Sequence, residues 1–479
     1  MILRVINHPY EFDMKNLCIT FFPHEKIRLE GEEDPVVVTT RRETDGSFFV
    51  SAKVYDVYRE TTAKPEPADE EHLVLSVALY RLLSGILGFA PPWGVLYGVR
   101  PAKLMHRLCA QMGDDAAVAH FQTAFLTQKS KAELAHEVML HENRSIARSG
   151  PKSFSLYVSI PFCPTRCAYC SFVSHSIEKT HKLMTPYVDL LLRELEETAK
   201  YAKELGLELA TVYFGGGTPT TLSAQDLGRI FNTIEQNFDL SHLMEYTVEA
   251  GRPDTVTRER LEVIRAAGVQ RISINPQSFN DKVLEAIGRR HTAQQTLDAF
   301  ALARDCGFDH INMDFIAGLP EDDLPSFQRS IQTALDLQAE SITVHTLALK
   351  TSAYMVTREQ TFDLKDRLTV SNMVDYAGQT LHGAGYYPYY MYRQSKSLGN
   401  LENVGWCKPG YDCLYNVYMM DETHTVLAVG AGAVTKLRGQ NSGMIERIYN
   451  YKYPYEYIRD FDTLLERKKR IPGFYAEYD

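Results

Sequence analysis

The chain has 479 residues, 44% of them hydrophobic and 23% charged, with a formal net charge of −10. That length and balance suit a catalytic domain with one or two smaller ones, and the acidic surplus counts against bulk nucleic-acid binding, which draws on a basic surface. Eight cysteines are too few for a disulfide scaffold; no run of eighteen apolar residues argues for membrane insertion, and the start MILRVINHPYEF lacks a charged head before a long apolar core, so a soluble cytoplasmic protein with reduced thiols is expected.

From Met1 to about Glu60 the segments LRVIN, LCITFF, PVVVTTRR and SFFVSAKVYDVYR each read as a strand, with EEDP and TDG as turns. TTAKPEPADEE breaks the pattern, HLVLSVALYRLLSGIL is apolar at helical spacing, and further helical stretches run to about Ile146. Residues 1–150 are therefore expected to form an α+β domain that carries no chemical motif. Trp93, Tyr97 and Arg100 suit packing against a neighbouring domain better than contact with a substrate.

The stretch from Tyr157 to Phe172 reads YVSIPFCPTRCAYCSF and places Cys163, Cys167 and Cys170 at C-x3-C-x2-C spacing directly after a strand-like run. Thiolates are soft donors, and three from one short loop can each hold one iron of a [4Fe-4S] cube, leaving the fourth iron without a protein ligand. Zinc is the weaker reading, because His175 and His181 follow too soon for a finger. From Ser155, six apolar β-branched runs alternate with helical stretches: SLYVSI, ATVYFGG, MEYTVEA, RISINPQ, HINMDFIAG and SITVHTLAL. Repeated βα units predict a parallel sheet buried on both faces, and six of them over residues 151–392 fit an α/β fold built as an open (β/α)6 partial barrel with functional residues at the carboxyl ends of its strands. After a helical stretch near Leu368 to His382, Tyr386, Tyr387, Tyr389, Tyr390 and Tyr392 crowd together, suited equally to stacking on a macrocycle and to packing along a strand. Residues 393–479 are expected to form an α+β extension closing one side of the barrel. Cys407 and Cys413 fall short of a ligand set for a second metal.

Several strand ends carry polar groups. Gly215, Gly216, Gly217 and Thr218 follow the second strand, where glycines let a ligand approach the backbone, although GGGTP by itself also describes a sharp βα turn. Glu249 ends the third strand, Asn275 and Gln277 the fourth, and Asp314 the fifth.

The words YVSIPFC, YFGGGTPT, YTVEAGRP, RISINPQSF, MDFIAGLP and GNLENVGW…VGAGA resemble the oxygen-independent coproporphyrinogen III oxidase family of radical S-adenosylmethionine (SAM) enzymes. With the long N-terminal extension they are most similar to its HemZ-type branch, the coproporphyrinogen dehydrogenases; the resemblance covers Phe154 to Leu437. It implies a [4Fe-4S] cluster on Cys163, Cys167 and Cys170, and SAM held by Tyr157, Gly215, Gly216, Gly217, Thr218, Glu249, Gln277, Arg289 and Asp314. Backbone from Val344 to Leu347 would line the adenine. Tyr169, with Gln277, Arg289 and Asp314, would mark a second SAM. No catalytic side chain is implied beyond the cluster and SAM. The implied reaction is the oxidative decarboxylation of coproporphyrinogen III to protoporphyrinogen IX in haem biosynthesis, with an electron donor for the cluster and a separate electron acceptor. Three positions depart from the pattern. Phe172 stands where the oxidases proper carry a cysteine, Ser159 replaces a histidine, and no histidine sits beside Asn400 where the haem-chaperone branch has one. A haem ring-opening or methylating enzyme, and a haem-binding chaperone, are the alternative expectations.

Overall fold

The computed structural model describes the chain except residues 24, 99, 171–174, 349–363 and 395–396, with backbone alone at 179 and 364–366. Phe172 lies outside the described residues. The first sheet has four strands in the order β1 (Ile2–Ile6), β2 (Val36–Arg42), β3 (Phe48–Val54) and β4 (Val57–Ala63), with β1 parallel to β2 and the rest antiparallel. Two expectations fail here. LCITFF is the end of a helix, Glu11–Phe21, because Met14, Leu17, Cys18 and Phe21 recur at helical spacing and bury one stripe against the sheet. SFFVSAKVYDVYR is a hairpin of two strands that turns at Tyr55 and Asp56, with Tyr55 at φ +52°. The helix Glu71–Leu87 covers this sheet, and together they enclose a core drawn from residues 1–95.

The second sheet carries the six strands expected of the partial barrel: β5 (Ser153–Ile160), then, past a two-residue pair β6 (Phe162–Cys163) and β7 (His175–Ser176), β8 (Glu208–Gly216), β9 (Glu245–Glu249), β10 (Arg271–Ser273), β11 (His310–Ala317) and β12 (Ser341–Thr346). They lie side by side in chain order and all pair in parallel. Five more strands extend the sheet at its edges. β14 (Glu402–Cys407) runs antiparallel to β12 and to β13 (Tyr387–Arg393), while β15 (Thr425–Val429) adds in parallel to β5 and is followed by β16 (Val434–Arg438) and β17 (Ile445–Tyr449). The last hundred residues thus flank the barrel at both ends of its strand order, which runs open from β13 to β17 among the described residues.

Helices cover the outer face, the longest among the described residues being Ile177–Glu204 after the cysteine loop. Helices Pro101–Met112, Asp114–Thr123 and Lys129–Ile146 belong with the barrel core rather than with the first sheet. Trp93 is buried and donates its Nε1 hydrogen to Glu402 at 2.7 Å, and Arg100 pairs with Glu422 at 2.6 Å, so these residues tie the N-terminal segment to the barrel. On the opposite edge Glu194 is fully buried and saturated: Oε1 meets Lys468 and Asn450 at 2.7 Å each, and Oε2 accepts from the Gly430 backbone at 2.7 Å and Tyr457 at 2.6 Å. This network holds the GAGA turn after β15, where Ser159 also donates to the Ala431 carbonyl at 2.8 Å.

Candidate functional site

A cavity of about 400 Å³ opens at the barrel's interior. Cys163, Cys167 and Cys170 line it from the loop after β5, joined by Tyr157 and Tyr169, by Gly216, Gly217 and Thr218 from the end of β8, and by Glu249, Gln277, Arg289 and Asp314. Twelve of the thirteen residues singled out from the sequence therefore converge on one space. Gly215 lies just behind: a Cβ there would meet Tyr213, the Tyr157 hydroxyl and Glu249 within about 3.3 Å.

The backbone explains the cysteine loop's position. The Gly217 N–H donates to the Ile160 carbonyl and the Thr218 N–H to the Phe162 carbonyl, each at 2.7 Å, stitching the end of β8 under the loop. A Cβ at Gly217 would come within 2.5 Å of the Phe162 oxygen, so only glycine fits. The Ala168 N–H donates to the Ile287 carbonyl at 2.9 Å and anchors the middle of the loop. Thr218 donates to Cys163 Sγ at 3.5 Å and Arg252 Nη1 to Cys167 Sγ at 3.7 Å, donors of the kind that tune a cluster's potential.

Arg289 is buried beside the loop, giving Nη1 to the Asn275 carbonyl at 2.6 Å and Nη2 to the Tyr169 hydroxyl at 3.2 Å while Nε has no partner. Gln277 is also buried, at φ +66°, held in that strained conformation by a backbone bridge to Asp314 and Ile316. Its Oε1 is likewise unpartnered. Two orphaned polar atoms in the wall of a cavity call for a polar ligand. Asp314 sits within β11, three residues before its end rather than at it. Burial pushes its carboxyl up, but His345 at 3.8 Å and the Asn312 amide at 2.8 Å outweigh that and leave it below the usual carboxylate range. Glu249 differs. Burial raises it to about 7 against the Tyr213 hydroxyl at 2.5 Å, which opposes the rise. Two carboxylates on one wall thus lean toward opposite protonation states near neutral pH.

Of the segment Val344 to Leu347, His345, Thr346 and Leu347 line the cavity. Sequence reasoning missed other wall residues: Tyr213, Arg252, Arg271 and Asn312, and Asn416, Met419 and Met420 of the helix Leu414–Asp421. Period-two spacing would have found several, since Tyr213 precedes Gly215 by two and Arg271, Ser273 and Asn275 alternate along one face. The helix Leu414–Asp421 carried no such signal. Of the tyrosine run, Tyr390 and Tyr392 line the cavity, Tyr386 and Tyr389 are packed in the core, and Tyr387 stacks on His141 at 4.0 Å. Cys413 is buried with its Sγ 3.4 Å from Glu245, and no grouping of ligands around it and Cys407 appears among the described residues.

Three sulfurs from one loop, a glycine cradle and unpaired buried donors and acceptors fit a [4Fe-4S] cluster with SAM beside it, and a parallel partial barrel bearing them is the architecture of a radical SAM protein. The Radical SAM superfamily profile matches residues 157–334. The chain is 34% identical to the oxygen-independent coproporphyrinogen-III oxidase-like protein HemZ of Bacillus subtilis, across 95% of this chain and 94% of that one. It is 31% identical to the heme chaperone HemW of the same organism over 64% of this chain and 79% of the relative. Coproporphyrinogen III oxidase HemN from Escherichia coli shares the fold, at a TM-score of 0.50 and 21% identity, over 68% of this chain and 72% of that one. The chain belongs to the radical SAM enzymes, in their oxygen-independent coproporphyrinogen III oxidase family and its HemZ-like branch, and its cofactors are a [4Fe-4S] cluster and SAM. No helix among the described residues is long and apolar enough to cross a membrane.

Proposed function

We propose that this protein is a cytoplasmic oxidoreductase that converts coproporphyrinogen III to protoporphyrinogen IX without oxygen. The observation that carries the reading is the convergence of the three cysteines, the glycine-rich strand end and Glu249, Gln277, Arg289 and Asp314 on one cavity, in a chain whose near-full-length relative is named as oxygen-independent coproporphyrinogen-III oxidase-like. Bound together, cluster and SAM supply a low-potential electron and a carbon-centred radical able to take hydrogen from an unactivated C–H bond. For each of two propionates the net change is loss of one hydrogen atom, one carbon dioxide and one electron, leaving a vinyl group; the electron passes to an external acceptor.

The chain's own residues supply position and field. Cys163, Cys167 and Cys170 would hold the cluster, and the backbone at Gly216 and Gly217 would receive the amino group of SAM. Arg289 would take its carboxylate with the free Nε, an interaction suited to a planar guanidinium. Glu249, Gln277 and Asp314 would meet ribose hydroxyls and nitrogen donors, and Tyr157 and Tyr169 flank them. A second SAM, marked by Tyr169 with Gln277, Arg289 and Asp314, belongs to the same proposal. Of the expected N-terminal domain 1–150, residues 1–95 would serve as a unit with its own core while the helices from Pro101 to Ile146 join the barrel core, and 393–479 would serve as the cover of the barrel.

Anaerobic incubation of reconstituted protein with SAM, reductant, an electron acceptor and coproporphyrinogen III should yield the divinyl product by mass. Deoxyadenosine without vinyl product removes this assignment and leaves the radical class standing. The relatives named as heme chaperones favour a second reading, haem carriage. Stoichiometric haem retained without SAM cleavage would support it. Against it, Asn400, at φ +56° in the turn before β14, has no histidine neighbour to serve as an axial ligand.

A further inference from the structure

Arg271 is a buried cation that the cofactors do not account for. It opens β10, at the amino-terminal end of the barrel strands, whereas the cysteines follow the carboxyl end of β5. It is 1% exposed and lines the cavity, yet its Nε and Nη1 have no hydrogen-bond partner. Arg289, beside the cysteine loop, already offers a guanidinium to the SAM carboxylate, so a second arginine at the far end serves a different anion.

The carboxylates that share its field are committed elsewhere. Glu245 accepts from the backbone N–H groups of Leu414 at 2.5 Å and Tyr415 at 3.4 Å and from the Cys413 thiol at 3.4 Å, which caps the helix Leu414–Asp421. Glu249 takes the Tyr213 hydroxyl, and Asp314 takes Asn312 and His345. A buried guanidinium with unspent donors is costly unless an anion arrives, and a ligand carboxylate offers two acceptors that match its fork. The wall of the same cavity includes Tyr390, Met419 and Met420, an aromatic and thioether surface suited to a flat apolar ring system.

We propose that Arg271 is the receptor for a carboxylate of the substrate, seating one acidic side chain of a tetrapyrrole at the end of the cavity away from the cysteine loop; this rests on the tetrapyrrole reading above. It is a specificity residue: it would hold the ring by a carboxylate that is not reacting.

The test is anaerobic titration of cluster-reconstituted protein with two pairs of probes: coproporphyrin III against its tetramethyl ester, and haem against its dimethyl ester. Iron content and SAM affinity are read in parallel. Wild type should bind at least one free acid about tenfold more tightly than its ester, R271Q should lose that preference, and R271K should keep part of it, with iron and SAM binding retained. Should R271Q lose its cluster, R271K carries the comparison. A preference unchanged by either substitution, or no preference in wild type with either ring, overturns the inference. An Arg271-dependent preference seen with haem alone upholds Arg271 as the receptor and removes coproporphyrinogen as the substrate. Vinyl product from wild type with an Arg271-independent preference does the reverse.

Discussion

Tyr213 on β8 donates its hydroxyl hydrogen to Oε1 of Glu249 on β9 at 2.5 Å, above the Tyr415 ring that stacks on Tyr213 with centroids 4.4 Å apart. The contact crosses two neighbouring strands at the edge of the cavity. It is the main hydrogen bond restraining a carboxyl that burial pushes up to about 7.

Removing that donor should push Glu249 higher still. In Y213F, the pH at which SAM binding reaches half its limit is expected to move up by about half to one unit, since the Glu249 anion loses its partner. Isothermal titration across pH 6 to 9 measures the shift. An unmoved midpoint means that Glu249 does not govern binding.

The same group makes stability depend on pH in a stated direction. Its folded pKa lies above the ordinary 4.5, so the unfolded chain ionises first, and the contribution to stability, full below about 4.5, is lost as pH rises toward about 7. E249Q has no such group. Its unfolding free energy relative to wild type should therefore rise by about 1–2 kcal/mol between pH 4.5 and 7, less than the full shift implies because the carboxyl opens onto the cavity and water screens it. Urea midpoints at the two pH values check this, and parallel curves would contradict it.

Each of C163A, C167A and C170A should retain less than about a tenth of the wild-type cluster iron, because two sulfurs cannot hold a cube that needs three. Iron analysis and the absorbance near 400 nm report the loss, while far-UV circular dichroism should be nearly unchanged. An intact cluster in any one variant would show that another residue ligates.

Arg289 joins the cysteine loop to the strand ends through the Tyr169 hydroxyl and the Asn275 carbonyl. Lysine cannot span both and also face the cavity. R289K should weaken SAM binding about tenfold with cluster iron retained. Equal affinity in the two proteins would place the SAM carboxylate elsewhere.

Glu194 tests the architecture apart from the chemistry. Removing it leaves Lys468 buried without its anion and frees the Gly430 N–H and the Tyr457 hydroxyl, so E194A should lose about 3–5 kcal/mol of stability. Denaturant unfolding gives the number directly. A loss under about 1 kcal/mol would mean that water replaces the carboxylate at little cost.

Much of this protein was legible before any coordinates. The six parallel strands appeared as apolar, β-branched runs because a sheet covered on both faces buries most of its side chains, and such runs stand out from amphipathic helices. The cysteines were legible because all three cluster ligands fall in one short loop at C-x3-C-x2-C spacing. The N-terminal elements were less so. LCITFF is β-rich by composition and helical in fact, since Met14, Leu17, Cys18 and Phe21 bury a helical stripe and tertiary packing overrides propensity.

Local sequence alone settled the cluster loop, the glycine cradle and the class of fold, because each depends on contacts within a few residues or on a repeating period. Only the tertiary structure decided that Arg271 and Glu249 share a chamber with the helix Leu414–Asp421, that Asp314 falls inside a strand, and that strands from the last hundred residues extend both edges of the sheet. Those facts depend on burial and on partners tens to hundreds of residues apart, which leave no pattern in the chain between them.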